Sequence, residues 1–246
     1  AEPEVLYNVS RVRDKSNSIY HHCINVAALS VLIGVKMRMP ERRLKNMAIG
    51  ALLHDIGLIY IPMDIQQVNI DTGSEAVLKE AKRHVIYGYS AVEKESWLPM
   101  AAKDIIVNHH ERMDGSGYPF RLTGEKISLE TKIVSLCDEF DSMVYGHCRN
   151  KRKIKETMDY ITSQAGVKFD FKVVQTFISS VAVYPIGTIV VLSTGEKGIV
   201  IRQNSSLPTY PVINLVEVTQ QGVVPTGKEI DLTKNLSMII TDTIEM

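Results

Sequence analysis

Cysteine is scarce in this chain of 246 residues, occurring only as Cys23, Cys137 and Cys148. These three form neither a CxxC pair nor a dense framework, so a small secreted fold stapled by disulfides is excluded. They are expected to be reduced and mostly buried. An excess of charge is also missing, since Lys plus Arg and Asp plus Glu each total 28 and the formal net charge is zero. That balance excludes a broadly basic surface for duplex nucleic acid, while leaving room for a local basic pocket around a small phosphorylated molecule. No apolar run approaches the roughly 20 residues that cross a bilayer. The N-terminus also lacks the long apolar stretch behind a basic start that marks a signal peptide. The expectation is a cytoplasmic protein whose chain does not enter a membrane. Internal repeats and low-complexity segments are absent as well.

What is present is ordinary globular material, 45% hydrophobic and 23% charged, in a chain long enough for a well-buried core. Its grammar changes near residue 180. Before that point the apolar residues fall at helical spacing, as in Ile24, Ala27, Ala28, Val31, Leu32 and Val35 over Tyr20–Lys36. A second helix is predicted over Glu41–Ile56, with Gly57 as its left-handed stop. Further helices are predicted over Ser74–Lys82, His84–Lys94, Pro99–His109, Leu129–Tyr145, Arg152–Gln164 and Phe171–Ser179. After Tyr184-Pro185 come short β-branched runs at Thr188–Leu192, Lys197–Arg202 and Val212–Val218, the first two joined by the turn Ser193-Thr-Gly-Glu196. The fold class is therefore mainly α, with a small β appendix that would serve as a cap or a docking surface.

Chemistry concentrates in a few segments. His54-Asp55 ends the apolar stretch Ala48-Ile-Gly-Ala-Leu-Leu. A neutral imidazole beside an ionised carboxylate can hold one metal, and the second carboxylate oxygen can reach another. His109-His110 is followed by Glu111-Arg-Met-Asp-Gly-Ser-Gly-Tyr-Pro119, a glycine-rich turn able to fold back over a pocket. His22 and His84 stand on amphipathic helices, and Asp138 lies in the apolar run Ile133–Asp141. Each of these alone is more simply a core histidine or a solvated aspartate. Together, five histidines and two aspartates from five helical segments suit two divalent ions about 3.5–4 Å apart, sharing a carboxylate. Imidazole and carboxylate donors without thiolates favour iron, manganese, zinc or similar ions over calcium.

At these residues the sequence resembles the HD-GYP family, the cyclic-di-GMP phosphodiesterase branch of the HD-domain metal-dependent phosphohydrolases. The resemblance rests on His22-x-x-x-Val26-Ala27, His54-Asp55-Ile56-Gly57, His84-x-x-x-Gly88, His109-His110-Glu111 through Gly117-Tyr118-Pro119, and Asp138-x-x-Asp141. It favours His22 over its neighbour His21. It implies an HD-type helical bundle over 1–180 and a β-rich extension over 181–246. It also implies one metal held by His22, His54, Asp55 and Asp138, and a second held by Asp55, His84, His109 and His110. Asp55 would be the bridging catalytic carboxylate, with a metal-bridging hydroxide attacking phosphorus. Arg112, Gly117, Tyr118, Pro119 and Asp141 would contact substrate, while Glu111 and Asp114 would order the loop. The implied ions are two divalent metals, iron first, then manganese, with zinc, nickel or cobalt also compatible. The implied substrate is cyclic-di-GMP, cut to linear pGpG or GMP. The resemblance allows for an upstream sensor domain or signalling partner, and for a homodimer.

Three positions depart from the family pattern. Leu58 stands where a lysine usually follows His-Asp-Ile-Gly, so a cation toward phosphate is lost. Tyr145-Gly-His-Cys-Arg-Asn150 replaces an Arg-Pro-Tyr-type run, with Arg149, Lys151 or Arg152 as candidate substitutes. Ser18 stands where some members carry an acidic ligand for a third metal, which favours two ions over three. These departures keep two alternatives open: a weak or inactive module that binds a cyclic dinucleotide, and a phosphohydrolase acting on another nucleotide.

Overall fold

A computed structural model describes residues 19–66, 68–204, 207–219 and 222–244. They fall into two compact units, the first running to Phe177 and the second beginning at Ile178. The first unit is helical. Helix α1 (Ile19–Lys36) buries His22, Val26, Leu29 and Ile33, a stripe at alternating spacings of four and three. Its length and apolar character would also suit a membrane span, contrary to the expectation that no segment does. It is instead a core helix, because it packs on α2 (Glu41–Leu53) and α7 (Leu129–Tyr145) and buries His22, Asn25 and Ser30.

Helix α2 is shorter than its apolar pattern predicts. It ends at Leu53, and His54-Asp55 form a turn into a 3₁₀ segment, Ile56–Tyr60. Gly57 is not the expected left-handed stop, for its φ is not positive. Its reason is steric. A Cβ there would lie 1.9 Å from the His84 carbonyl oxygen and 2.5 Å from the Gly88 nitrogen. The glycine lets this turn pack backbone to backbone against α5 (His84–Val92), and so brings His54-Asp55 beside His84.

Between these lie the short helices α3 (Met63–Gln66) and α4 (Glu75–Ala81), and α6 (Met100–Asn108) follows α5. Val92, Leu98, Ala102 and Ile106 form a core cluster against which Ile49, Leu53 and Ile56 pack. Helix α7 is the most enclosed element: from Glu130 to Val144 every residue except Lys132 is buried. Ser128 caps its start by accepting from the Thr131 amide, and Gly146 ends it at φ 75°. Helices α8 (Ile154–Ser163) and α9 (Phe171–Ser180) follow, and Phe177 meets Phe140 of α7 edge to face, 4.9 Å between centroids.

The second unit carries an antiparallel sheet ordered β4-β3-β2-β1-β5, formed by β1 (Ile189–Leu192), β2 (Lys197–Arg202), β3 (Val212–Thr219), β4 (Gly222–Asp231) and β5 (Ile240–Ile244). Ile189, Val190, Leu192, Val200, Val212 and Ile213 are buried there. The mainly α class with a C-terminal β element is thus correct, though β4 and β5 had no clear sequence signal. Pro225 and Gly227 weaken the β4 pattern, and the strand is tolerated because it is an edge, its register shifting near Pro225.

Candidate metal centre

Three histidines of the centre share one local device. His54 follows the end of α2, His84 follows the end of α4, and His109 follows the end of α6. The last carbonyls of a helix lack intrahelical partners. Each imidazole folds back to supply one: Nδ1 of His54 donates to Ala51 O at 2.7 Å, and that of His84 to Ala81 O at 2.8 Å. Nδ1 of His109 is shared between Ile105 O and Ile106 O at 3.2 and 3.1 Å. His22 achieves the same through a carboxylate, its Nδ1 donating to Asp141 Oδ2 at 2.7 Å. A neutral imidazole has one N–H, so with Nδ1 engaged each ring presents a lone pair at Nε2.

Those Nε2 atoms converge on one another and on two carboxylates. His54 and His22 approach to 3.2 Å, and His84 and His109 to 3.4 Å. Asp55 stands between the pairs. Its Oδ1 is 3.3 Å from His84 Nε2 and 3.6 Å from His109 Nε2. Its Oδ2 is 3.4 Å from His54 Nε2 and 3.8 Å from His22 Nε2. Asp138 Oδ1 lies 3.2 Å from His22 Nε2, and its Oδ2 3.6 Å from His110 Nδ1. Donors about 2.1 Å from a shared ion sit roughly 3 Å apart at right angles and roughly 4 Å apart when opposed. The observed separations span that interval, and facing lone pairs need a cation between them. The residues therefore fit divalent metal. The structure brings together all seven of the proposed ligands, as Asp55 with His84, His109 and His110, and as His22 with His54 and Asp138.

The electrostatics carry the same demand for positive charge. Burial opposes ionisation of Asp55 and Asp138, yet the charge of His54 acts on Asp55 and a hydrogen bond from His22 on Asp138, holding both well below the ordinary carboxylate range. Burial likewise opposes protonation of His22, but Asp138 and Asp141 push it up to about 9. Asp55 raises His54 in the same way against its burial. Burial instead dominates at His84 and His110 and lowers both, the latter strongly.

The proposed substrate contacts divide. Tyr118 is at the site, its ring stacked on His110 at 4.7 Å with Lys82 Nζ 5.3 Å from its centroid. Burial raises its hydroxyl well above the usual value. Pro119 follows it in the same half-buried turn. Gly117 is buried for packing, since a Cβ would lie 2.5 Å from the His110 carbonyl oxygen and the Glu111 Cα. Asp141 is a correction: it is fully buried and accepts from His22 and Asn25, so it orients a ligand and does not face substrate. Arg112 is another. Its guanidinium donates to Glu139 at 2.8 Å, to Ser135 and to the carbonyls of His109 and Glu111, and so is committed to holding the loop. Glu111 accepts from the Phe120 and Leu122 amides at 2.6 and 2.9 Å, and Asp114 from the Ser116 amide at 2.9 Å, both ordering the turn. Ser18 lies outside the described residues. Leu58 sits half-buried in the 3₁₀ segment.

One histidine at the centre was not foreseen. His147 Nε2 lies 3.7 Å from Asp55 Oδ2, and its ring stacks on His22 at 4.2 Å with planes 17° apart. In the chain it lies within the segment that departs from the family pattern, and nothing in local periodicity points it inward.

Fold and site together define a helical domain built around a histidine–aspartate cluster able to hold divalent metal. The chain belongs to the HD domain family, whose model matches residues 4–173, and within it to the HD-GYP branch. Residues 189–246 match a KOW domain associated with the HD domain. The chain is 29% identical over 204 residues to a cyclic di-GMP phosphodiesterase of Pseudomonas aeruginosa, covering 82% of this chain and 49% of that one. It is 27% identical over 227 residues to the cyclic di-GMP phosphodiesterase PdeB of Borreliella burgdorferi, covering 91% and 58%. The chain thus spans about half the length of these relatives. A solved HDG"Y"P protein from Bdellovibrio bacteriovorus shares the fold, with a TM-score of 0.57 at 24% identity over 65% of this chain and 51% of that one.

Proposed function

We propose that this chain is a metal-dependent phosphodiesterase that opens a cyclic dinucleotide, with cyclic-di-GMP the foremost candidate and linear pGpG or GMP the products. One observation carries the reading: the two oxygens of Asp55 face two different sets of imidazole nitrogens, the geometry of a carboxylate shared by two ions. Two divalent ions bound there, iron or manganese first, would supply an acidified water and offset charge on the phosphoryl oxygens. The chain's own contribution is positioning. His22, His54 and Asp138 would hold one ion, His84, His109 and His110 the other, and Asp55 both. Asp141 and the helix-end carbonyls keep the rings turned inward. Water adds to phosphorus as the P–O bond to a ribose oxygen breaks, and that oxygen takes up a proton. Tyr118 offers an aromatic face at the rim for a base or ribose, and Lys82 places positive charge beside it. We assign this chemistry to residues 1–180 and treat 181–246 as the β extension.

The test is anaerobic loading with iron or manganese, followed by assay against cyclic-di-GMP and related cyclic dinucleotides. Formation of a linear product, lost on His54→Ala, is expected. No cleavage of any cyclic dinucleotide by the loaded protein would overturn the reading. Leu58, apolar where a phosphate-facing cation is usual, favours one second reading, a binding module; tight calorimetric binding without turnover would identify it.

A further inference from the structure

His147 belongs to the centre by position but to none of the seven ligands assigned above. Its approach to Asp55 Oδ2, at 3.7 Å, is longer than a hydrogen bond and matches the 3.4 and 3.8 Å of His54 and His22 to that same oxygen. Its ring nitrogen falls within a 4.8 Å cluster with a ring nitrogen of His22 and a carboxylate oxygen of Asp55. The rings of His147 and His22 stack with centroids 4.2 Å apart, and both Nε2 atoms lie within 4 Å of Asp55 Oδ2. His147 Nε2 also lies 3.7 Å from Cys148 Sγ.

The loop carrying His147 is anchored on both sides of it. Helix α7 ends at Gly146, φ 75°, and Cys148 also takes a left-handed φ of 53°, so the chain doubles back over the buried face. Cys148 O accepts from the Ile70 amide at 2.8 Å, and its thiol donates to Gln66 O at 3.3 Å. Arg149 pairs with Glu139 at 2.8 Å, and Asn150 bonds both Asn69 and Asp71. Left-handed backbone at a non-glycine residue is strained, and these contacts offset that strain. His147 is held largely buried as a result, its side chain 15% exposed.

We propose that His147 is an eighth protein ligand, completing a set of three imidazoles and two carboxylates around the ion on the Oδ2 side of Asp55. This rests on the two-metal reading above. The Oδ2-side ion would then have five protein donors, against four for its partner. That count suits ions that favour six positions over tetrahedral zinc. It leaves the Oδ1-side ion as the more open of the two, and so the one on which a substrate phosphate would find a free position.

Metal-free protein titrated with Co(II), followed by visible absorption and chelator competition, tests this without turnover. Wild type should take up two equivalents. In His147→Ala and His147→Gln one equivalent should weaken at least about tenfold, by analogy with the loss of weaker supporting contacts, and its d–d absorption should change. The other equivalent should keep wild-type affinity, which also shows that the variants fold. Two equivalents of unchanged affinity and spectrum in both variants would overturn the assignment while leaving the two-metal reading intact. Failure of wild type to bind any cobalt would overturn both.

Discussion

At the scale of single residues, the centre depends as much on what stands behind the ligands as on the ligands. Asp141 is fully buried and holds the Nδ1–H of His22, fixing which nitrogen faces inward. Asp141→Ala should therefore weaken metal binding by about 10–100-fold without removing a ligand, read by chelator competition; unchanged affinity would show the contact to be incidental. The His22 shift yields a pH dependence with a definite sign. Its folded value of about 9 exceeds the ordinary 6.5, so in metal-free protein the stabilising proton is fully present below pH 6.5 and is lost as pH rises through 9. A metal must displace that proton. The rise in melting temperature on adding Mn(II) should thus grow between pH 6.5 and 9, and a shift that shrinks over that range contradicts the assignment.

At the scale of elements, helix ends and close backbone crossings do the positioning. The ends of α2, α4 and α6 each offer a carbonyl that a following histidine satisfies, which ties tautomer to helix length. The crossing of the 3₁₀ turn with α5 has no room for a side chain at Gly57, where a Cβ would meet the His84 carbonyl oxygen at 1.9 Å. Gly57→Ala must push α5 away from the turn, and with it His84 from Asp55. The expected cost is about 1–3 kcal/mol, a melting point lower by several degrees, and loss of the Oδ1-side metal ahead of the other. Calorimetry with metal analysis checks both; full stability and two tight ions would refute the steric account. Much of this level was legible in sequence, because apolar spacing over α1, α5, α6, α7 and α9 is a local property. The end of α2 was not. Its pattern continues through Ile56, but the chain turns at His54-Asp55 because packing of Gly57 on α5 outweighs one more helical turn.

At the scale of the whole molecule, the helical unit gathers acidic and imidazole groups that repel or go unpaired without positive charge between them. Metal should therefore act as part of its fold. An ion present at 100 times its dissociation constant contributes about 2.7 kcal/mol. Chelation should accordingly lower the melting temperature and raise hydrogen exchange at α1, α5 and α7, and an unchanged melt would mean the centre forms no tight site.

The sequence by itself determined the helical class and the change of grammar near residue 180, since these depend on short-range spacing, and its family resemblance pointed to the seven candidate donors. Tertiary structure decided the rest. Asp138 and Asp141 lie in the same helix only three residues apart, yet one faces the ligand cluster and the other stands behind His22, a distinction set by how α7 packs on α1. Arg112 reads as a substrate-facing cation in the chain but spends its charge on Glu139, because the loop needs that anchor. His147 joins Asp55 across 92 positions only because two left-handed residues turn the chain back. Convergence of distant residues is a property of packing, and no local pattern encodes it.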